Sequence, residues 1–86
     1  MTKREAKYSK RMYSPEEKFD LRLDILYSLK KTHGMSKEEL QKSLSSTKWQ
    51  IDCLVNEFYQ EQLIMRLKSG RKVLTRRGHE YLDNNY

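Results

Sequence analysis

The chain has 86 residues and a formal net charge of +6, with 36% hydrophobic and 35% charged residues. A chain of this length forms one domain and buries only about 60% of its unfolded surface, so dimerisation would add stability. The apolar side chains suffice for one small core but not for an additional deep pocket, and we expect neither a small-molecule ligand nor a cofactor. The sequence pI of about 9.5 favours an anionic partner.

Several functional classes find no support in the residue types. No apolar run approaches the roughly 20 residues of a membrane span, and the basic N-terminus lacks the apolar segment of a signal peptide, so we expect an intracellular protein. The single cysteine, Cys53, cannot form an intramolecular disulfide, and with two histidines it makes no usual metal cluster. Neither His33 nor His79 lies beside a nucleophile and an orienting acid, so we do not expect an enzyme.

Residues 1–14 are predicted to form a basic, flexible arm ahead of a folded domain at 15–86. The arm has five cations against one acid and shows no apolar periodicity. Its cations are Lys3, Arg4, Lys7, Lys10 and Arg11.

Two capping boxes predict the first two helices. Ser14-Pro15-Glu16-Glu17 places a capping serine, a proline at the first helical position and a glutamate at the third, and Ser36-Lys37-Glu38-Glu39 repeats the cap. The first helix carries two apolar ladders, one of Leu21, Ile25 and Leu29 and the other of Phe19, Leu23 and Leu26. The second helix is short, roughly 37–44, and both helices are expected to bury one face.

A third helix is predicted to run to about Glu61, with Ser45 or Ser46 as its cap. At 100° per residue its two faces differ in chemistry. The buried face has Ile51, Leu54, Val55 and Phe58, and the opposite face has Trp49, Cys53, Asn56 and Gln60.

The sequence then changes to a β-compatible pattern. Residues 63–67 and 73–75 are predicted to form a hairpin around a turn at 68–72, which contains Gly70. Thr75 is expected to cap a last short helix that ends near Asp83, and Gly78 inside it suggests close packing.

The order of these elements is that of an α+β winged helix-turn-helix, with a three-helix core, a two- to three-stranded β-wing and a short C-terminal helix. Residues 15–82 resemble the small winged-helix regulators of archaea and their viruses and plasmids. The resemblance lies in Leu44-Ser45-Ser46 before the apolar face of the third helix, in Gln62-Leu63-Ile64 where such proteins often have Gly-Leu-Ile, and in the stretch from Leu74 to Leu82, which is similar to an LTxxGxxYL ending.

This resemblance implies that the third helix, about Ser46 to Glu61, enters the major groove of double-stranded DNA while the wing at 66–77 contacts the phosphate backbone. Side chains that donate to or accept from base edges, or touch a thymine methyl, are the candidates for reading the sequence. These are Thr47, Lys48, Trp49, Gln50, Asp52 and Asn56, with Asp52 either accepting from cytosine or orienting Lys48. Candidate backbone contacts are Ser36, Lys37, Ser46, Arg66, Lys68, Arg71, Lys72, Arg76 and Arg77.

The sequence therefore predicts a DNA-binding transcriptional regulator that acts in the cytoplasm, the nucleoid or a virus-infected host cell and forms a possible homodimer. Two alternatives stay open. One is a protein-interaction module centred on Trp49, which could equally pack against the wing or a second subunit. The other is a non-specific chromatin or architectural protein. The arm is either a plain tail or a segment that tracks a groove.

Overall fold

Side-chain caps define where the first two helices begin in the computed structural model, which describes residues 14–85. Helix α1 spans Pro15–Thr32 and α2 spans Lys37–Leu44. The hydroxyl of Ser14 accepts from the amide of Glu17 at 3.2 Å, and the Glu17 carboxylate accepts from the amide of Ser14 at 2.9 Å. Both predicted capping boxes are confirmed. The predicted arm lies outside the described residues except for Ser14.

Helix α3 spans Lys48–Gln60, and Thr47 is its cap. The Thr47 hydroxyl accepts from the amide of Gln50 at 3.2 Å. The prediction that Ser45 or Ser46 caps this helix is wrong. Ser45 has a left-handed backbone, with φ of 54°, and ends α2, because the tight turn between the helices needs such a residue there.

The predicted hairpin is present with shorter strands. Strand β1 spans Ile64–Arg66 and pairs antiparallel with β2, which spans Lys72–Leu74, so that Met65 lies opposite Val73. Met35, between α1 and α2, adds one bridge to this sheet: its amide donates to the Lys72 carbonyl at 3.0 Å and its carbonyl accepts from the Lys72 amide at 2.7 Å. The third strand is thus a single residue.

Helix α4 spans Arg76–Asn85, two residues longer than predicted. The predicted cap is confirmed, because the Thr75 hydroxyl accepts from the amide of Gly78 at 3.0 Å. Gly78 is also the site of a close approach between α4 and the chain before β1. A Cβ atom there would clash with the carbonyl oxygen of Leu63 and press on Leu74. The expectation of close packing at this glycine is therefore confirmed.

The core lies between α1 and the other elements, since α1 packs against α2, α4 and β2. Its fully buried side chains come from all four helices: Leu21, Ile25, Leu26, Leu29, Leu40, Ile51, Leu54, Phe58 and Leu82. Phe19 was expected on the buried face but is 40% exposed. It lies near the N-terminal end of α1, beyond the part of the helix that the core covers.

Gln62, immediately before the wing, also has a left-handed backbone, with φ of 63°. This is the position where the similar winged-helix regulators often have glycine, which adopts such a conformation without steric cost. Among residues 14–85, no helix is long and apolar enough to cross a membrane. Within the same residues, no three histidine, cysteine or acidic side chains are grouped so that they could hold a metal ion.

Candidate nucleic-acid interface

The outward face of α3 presents a mixed polar and aromatic surface. Trp49 is 65% exposed, and Lys48 and Asn56 are exposed as well. The opposite face contributes Ile51, among others, to the core. Because the buried face is packed in the core, the side chains on the outward face keep fixed positions along the helix. Thr47 lies at the N-terminal end of α3, where it is half-buried and its hydroxyl caps the helix.

Gln50 does not belong to this outward surface. It is only 7% exposed and lies on the side of the helix that carries Leu54 and Phe58. Its position one turn before Leu54 explains this placement. Gln50 was a candidate for reading adenine, and its burial removes it from the surface that a groove could reach.

Asp52 lies beside α2. Nζ of Lys37 is 2.9 Å from Oδ1 of Asp52, and this ion pair joins the first turn of α2 to α3. Hydrogen bonding to Asp52 and its negative charge raise the pKa of Lys37. The sequence suggested Lys48 as a partner for Asp52, but the structure gives Lys37 that role. The structure therefore pairs two residues of the predicted interface: Asp52, which was expected to contact a base, and Lys37, which was expected to contact the DNA backbone.

Two serines expected at the phosphate backbone are engaged within the protein. The Ser36 hydroxyl accepts from the amide of Glu39 at 3.2 Å as the cap of α2. Ser46 is 6% exposed, and its amide donates to the carbonyl of Gln41 at 3.2 Å. The Ser36 hydroxyl is thus engaged as a cap, and the buried Ser46 hydroxyl faces the carbonyl of Thr47 at 3.5 Å.

Five of the six predicted wing cations are exposed, and four of these do not attach the hairpin to the rest of the domain. Arg66 and Lys68 pair with no side chain among residues 14–85, so their charges face solvent. Arg76 is 93% exposed and lies 3.5 Å from Glu80, a distance typical of a weak surface pair. Arg77 donates to the side-chain oxygen of Gln62 at 3.2 Å. These side chains make the wing and the start of α4 the positive part of the candidate interface.

The other two wing cations hold the hairpin in place. Arg71 lies 2.9 Å from a carboxylate oxygen of Glu39 and donates to the carbonyl of Gly34 at 3.3 Å. Lys72 is 8% exposed, and its Nζ donates to the carbonyl of Gly70 at 2.9 Å. Burial, and then the charges of Lys37 and Arg66, lower the pKa of Lys72. The expectation that both cations are free for phosphates does not match this placement, because Arg71 attaches the wing to α2 and the Lys72 amine is bound within the turn of the hairpin.

The sequence did not reveal how the acids of α3 are distributed. Arg22 of α1 binds Glu57 at 2.8 Å and Glu61 at 2.7 Å, and Lys18 lies 3.1 Å from Glu57. These pairs turn two carboxylates toward α1 and away from the outward face. The separation of about 35 residues along the chain leaves no local spacing rule that could have predicted them.

Comparisons with known proteins bear on the fold. No protein-family model matches the chain, and no curated protein matches it in sequence. The structure is similar to that of a candidate transcriptional regulator protein from Pseudomonas aeruginosa PA01, with a TM-score of 0.70 and 22% sequence identity over 95% of this chain. This chain spans 55% of the length of that protein.

The similarity and the element order agree with each other. Three helices lead into a two-stranded antiparallel wing, and a helix follows the wing. The predicted α+β fold class is confirmed, and the chain has the winged helix-turn-helix fold.

Proposed function

We propose that the protein is a transcriptional regulator that binds double-stranded DNA, with α3 in the major groove and the wing on the phosphate backbone. The observation that carries the proposal is the position of two exposed cations, Arg66 and Lys68, on the hairpin that follows α3, where neither pairs with a side chain among residues 14–85. The similarity to a candidate transcriptional regulator protein supports it at the level of the fold.

In this proposal, the exposed side chains of α3 contact the edges of the bases. Asn56 has the donor and acceptor pair that matches adenine, Lys48 can donate to guanine, and Trp49 offers an apolar surface to a thymine methyl. The methyl group of Thr47 can make the same kind of contact while its hydroxyl caps the helix. These four residues are the proposed determinants of sequence, and Gln50 is left out because it is buried.

Affinity comes mainly from charge. Arg66, Lys68, Arg76 and Arg77 are exposed and can each approach a phosphate. The arm cations at positions 3, 4, 7, 10 and 11 would add to this charge if they follow a groove, as the sequence suggested. Arg71 serves mainly to hold the wing against α2, and the Lys72 amine serves to hold the turn of the hairpin.

Binding of duplexes from a random pool at rising salt concentration tests the proposal. We expect binding at low salt, a linear fall of log affinity with log salt, and enrichment of one sequence after repeated selection. No binding at low salt would overturn the proposal. A steep salt dependence without enrichment would instead indicate a non-specific architectural protein.

One observation favours a second candidate function. Trp49 is 65% exposed, and an exposed tryptophan is a frequent centre of protein interfaces. A protein-interaction module would bind its partner through Trp49 and would tolerate loss of the wing charges. Trp49→Ala should then abolish partner binding, while Arg66→Glu with Lys68→Glu should leave it intact. Loss of random-duplex binding in the wing variant, with Trp49→Ala changing mainly which sequence is preferred, favours the regulator.

Further parts of the proposal concern assembly, origin and location. A homodimer on a pseudo-palindromic site, a relationship to the archaeal, viral and plasmid regulators, and an intracellular location stay predictions from the sequence. Light scattering of the purified protein tests the first of these. A strict monomer would limit the expected DNA site to a single half.

A further inference from the structure

An ion pair crosses the junction between α2 and α3 on the side of the molecule proposed to face DNA. Lys37 and Asp52 are 42% and 34% exposed, and the Asp52 oxygen that faces Lys37 is shielded from solvent. A pair this exposed contributes at most about 1 kcal/mol to folding. The stability of the fold therefore gives little reason for a carboxylate at position 52.

Asp52 is close to cations of both α2 and the wing. The charges of Lys37 and Arg66 both act on the amine of Lys72, and Asp52 acts on that amine in the opposite sense, together with Glu38. Asp52 is thus paired with Lys37 of α2 and close enough to Lys72 of the wing for its charge to act on that amine. A carboxylate in this position cancels part of the charge that would attract a phosphate.

The other acid within α3 has a different setting. Glu57 is bound to Lys18 and Arg22 of α1, so its charge is satisfied on the far side of the helix. Asp52 is one helical turn from both Lys48 and Asn56, the proposed base readers. Among the described residues of α3, Asp52 is consequently the carboxylate that an approaching duplex would meet.

We infer that Asp52 determines specificity by neutralising Lys37 in complexes with non-cognate DNA, an inference that rests on the proposed function. A lysine paired with a carboxylate adds no net charge toward a phosphate, so it contributes little to sequence-independent affinity. When the pair opens on DNA, the freed carboxylate is repelled by phosphates unless a base donor, such as the amino group of cytosine, donates a hydrogen bond to it. Asp52 therefore weakens binding to most sequences and favours those that supply this donor.

The test uses the full chain and four variants: Asp52→Asn, Lys37→Gln, the double variant, and Asp20→Asn as a control. Asp20 is exposed on α1, so the control removes the same charge away from the junction. For Asp52→Asn we expect random duplexes to bind about 5- to 10-fold more tightly at 0.1 M salt. The slope of log affinity against log salt should become steeper by roughly 0.9, because one further cation reaches a phosphate. Asp20→Asn should change the affinity by less than about twofold.

The double variant separates two mechanisms. If Asp52 acts through Lys37, Asp52→Asn should have less than half its effect when position 37 is glutamine. A full effect in that background would overturn the inference, because Asp52 would then repel phosphates directly. Equal effects of Asp52→Asn and Asp20→Asn would also overturn it, since net charge alone would explain them.

A measurement without DNA checks the pair itself. An NMR titration should show the pKa of Lys37 falling in Asp52→Asn relative to the wild type, and an unchanged pKa would contradict the inference. If the wild type binds no duplex, the proposed function and the inference both fail. If the wild type binds but Asp52→Asn leaves the salt dependence unchanged, only the inference fails.

Discussion

The guanidinium of Arg71 lies 2.9 Å from the Oε1 atom of Glu39, so the turn of the hairpin is attached to the first turn of α2. The same oxygen of Glu39 accepts from the amide of Ser36 at 3.0 Å as part of the capping box. One carboxylate therefore completes the cap of α2 and fixes the wing. The hairpin is thus oriented by α2 as well as by its bridge to Met35.

Arg71→Gln should leave DNA affinity less changed than Arg66→Gln does. Arg71 is already paired with Glu39, whereas Arg66 has no partner among the described residues, so only the loss of Arg66 removes a free charge. For random duplexes, the slope of log affinity against log salt should become shallower by about 0.9 for Arg66→Gln and by clearly less for Arg71→Gln. Urea unfolding should show a loss of at most about 1 kcal/mol for Arg71→Gln. Equal changes in salt dependence would contradict this assignment.

Gly78→Ala should destabilise the fold strongly. The added methyl group would clash with the carbonyl oxygen of Leu63, which is backbone and cannot rotate away. We expect a loss of about 3 kcal/mol in the free energy of unfolding, or failure to fold, as in other overpacked sites. His79→Ala, at the next and exposed position of α4, is the matched control and should change stability by less than about 0.5 kcal/mol. Similar unfolding midpoints for the two variants would show that α4 does not approach the backbone of Leu63 closely at this position.

The left-handed backbone at Gln62 gives a stability prediction of its own. Glycine adopts this conformation freely, whereas a β-branched residue is strained in it. Gln62→Gly should be more stable than Gln62→Val by about 1–2 kcal/mol in urea unfolding. Both variants lose the surface hydrogen bond from Arg77, so that loss cancels in the comparison. The opposite order of stabilities would rule out a left-handed residue before the wing.

Two cations of α1 that share a carboxylate should differ in how much they contribute to the free energy of unfolding. Arg22 is 12% exposed, binds Glu57 and Glu61, and lies 4.8 Å from the centre of the Phe58 ring, whereas Lys18 is 50% exposed and binds Glu57 alone. Arg22→Ala should cost about 2–3 kcal/mol, because it removes the packing of a nearly buried side chain against Phe58 together with two ion pairs. Lys18→Ala should cost less than about 1 kcal/mol. Comparable losses in urea unfolding would contradict the role given to Arg22.

Local rules predicted the elements of this fold well, because they depend on neighbouring residues. The capping boxes at Ser14 and Ser36 and the cap at Thr75 were all confirmed. The start of α3 was missed because three consecutive hydroxyl residues can each cap a helix, and the turn geometry selects the last of them, Thr47.

The candidate site was predictable only in part, because the state of a charged side chain depends on distant contacts. The exposure of Trp49 and Asn56 followed from helical periodicity. The sequence could not show that Arg71 and Lys72 are engaged in attaching the wing, since their partners come from elements far along the chain or from the folded turn. The pairing of Asp52 with Lys37 was likewise hidden by its distance in sequence.

In the proposed complex the wing has one main role, which is to carry the charge that binds a phosphate backbone. The most direct test of this role is the salt dependence of random-duplex binding by Arg66→Gln with Lys68→Gln, compared with Lys30→Gln with Lys31→Gln on α1. Both double variants lose two positive charges. We expect the wing variant to lower the slope of log affinity against log salt by roughly 1.8, and the α1 variant to leave it nearly unchanged. Equal slopes for the two variants would contradict the assignment of the wing as the backbone-binding element.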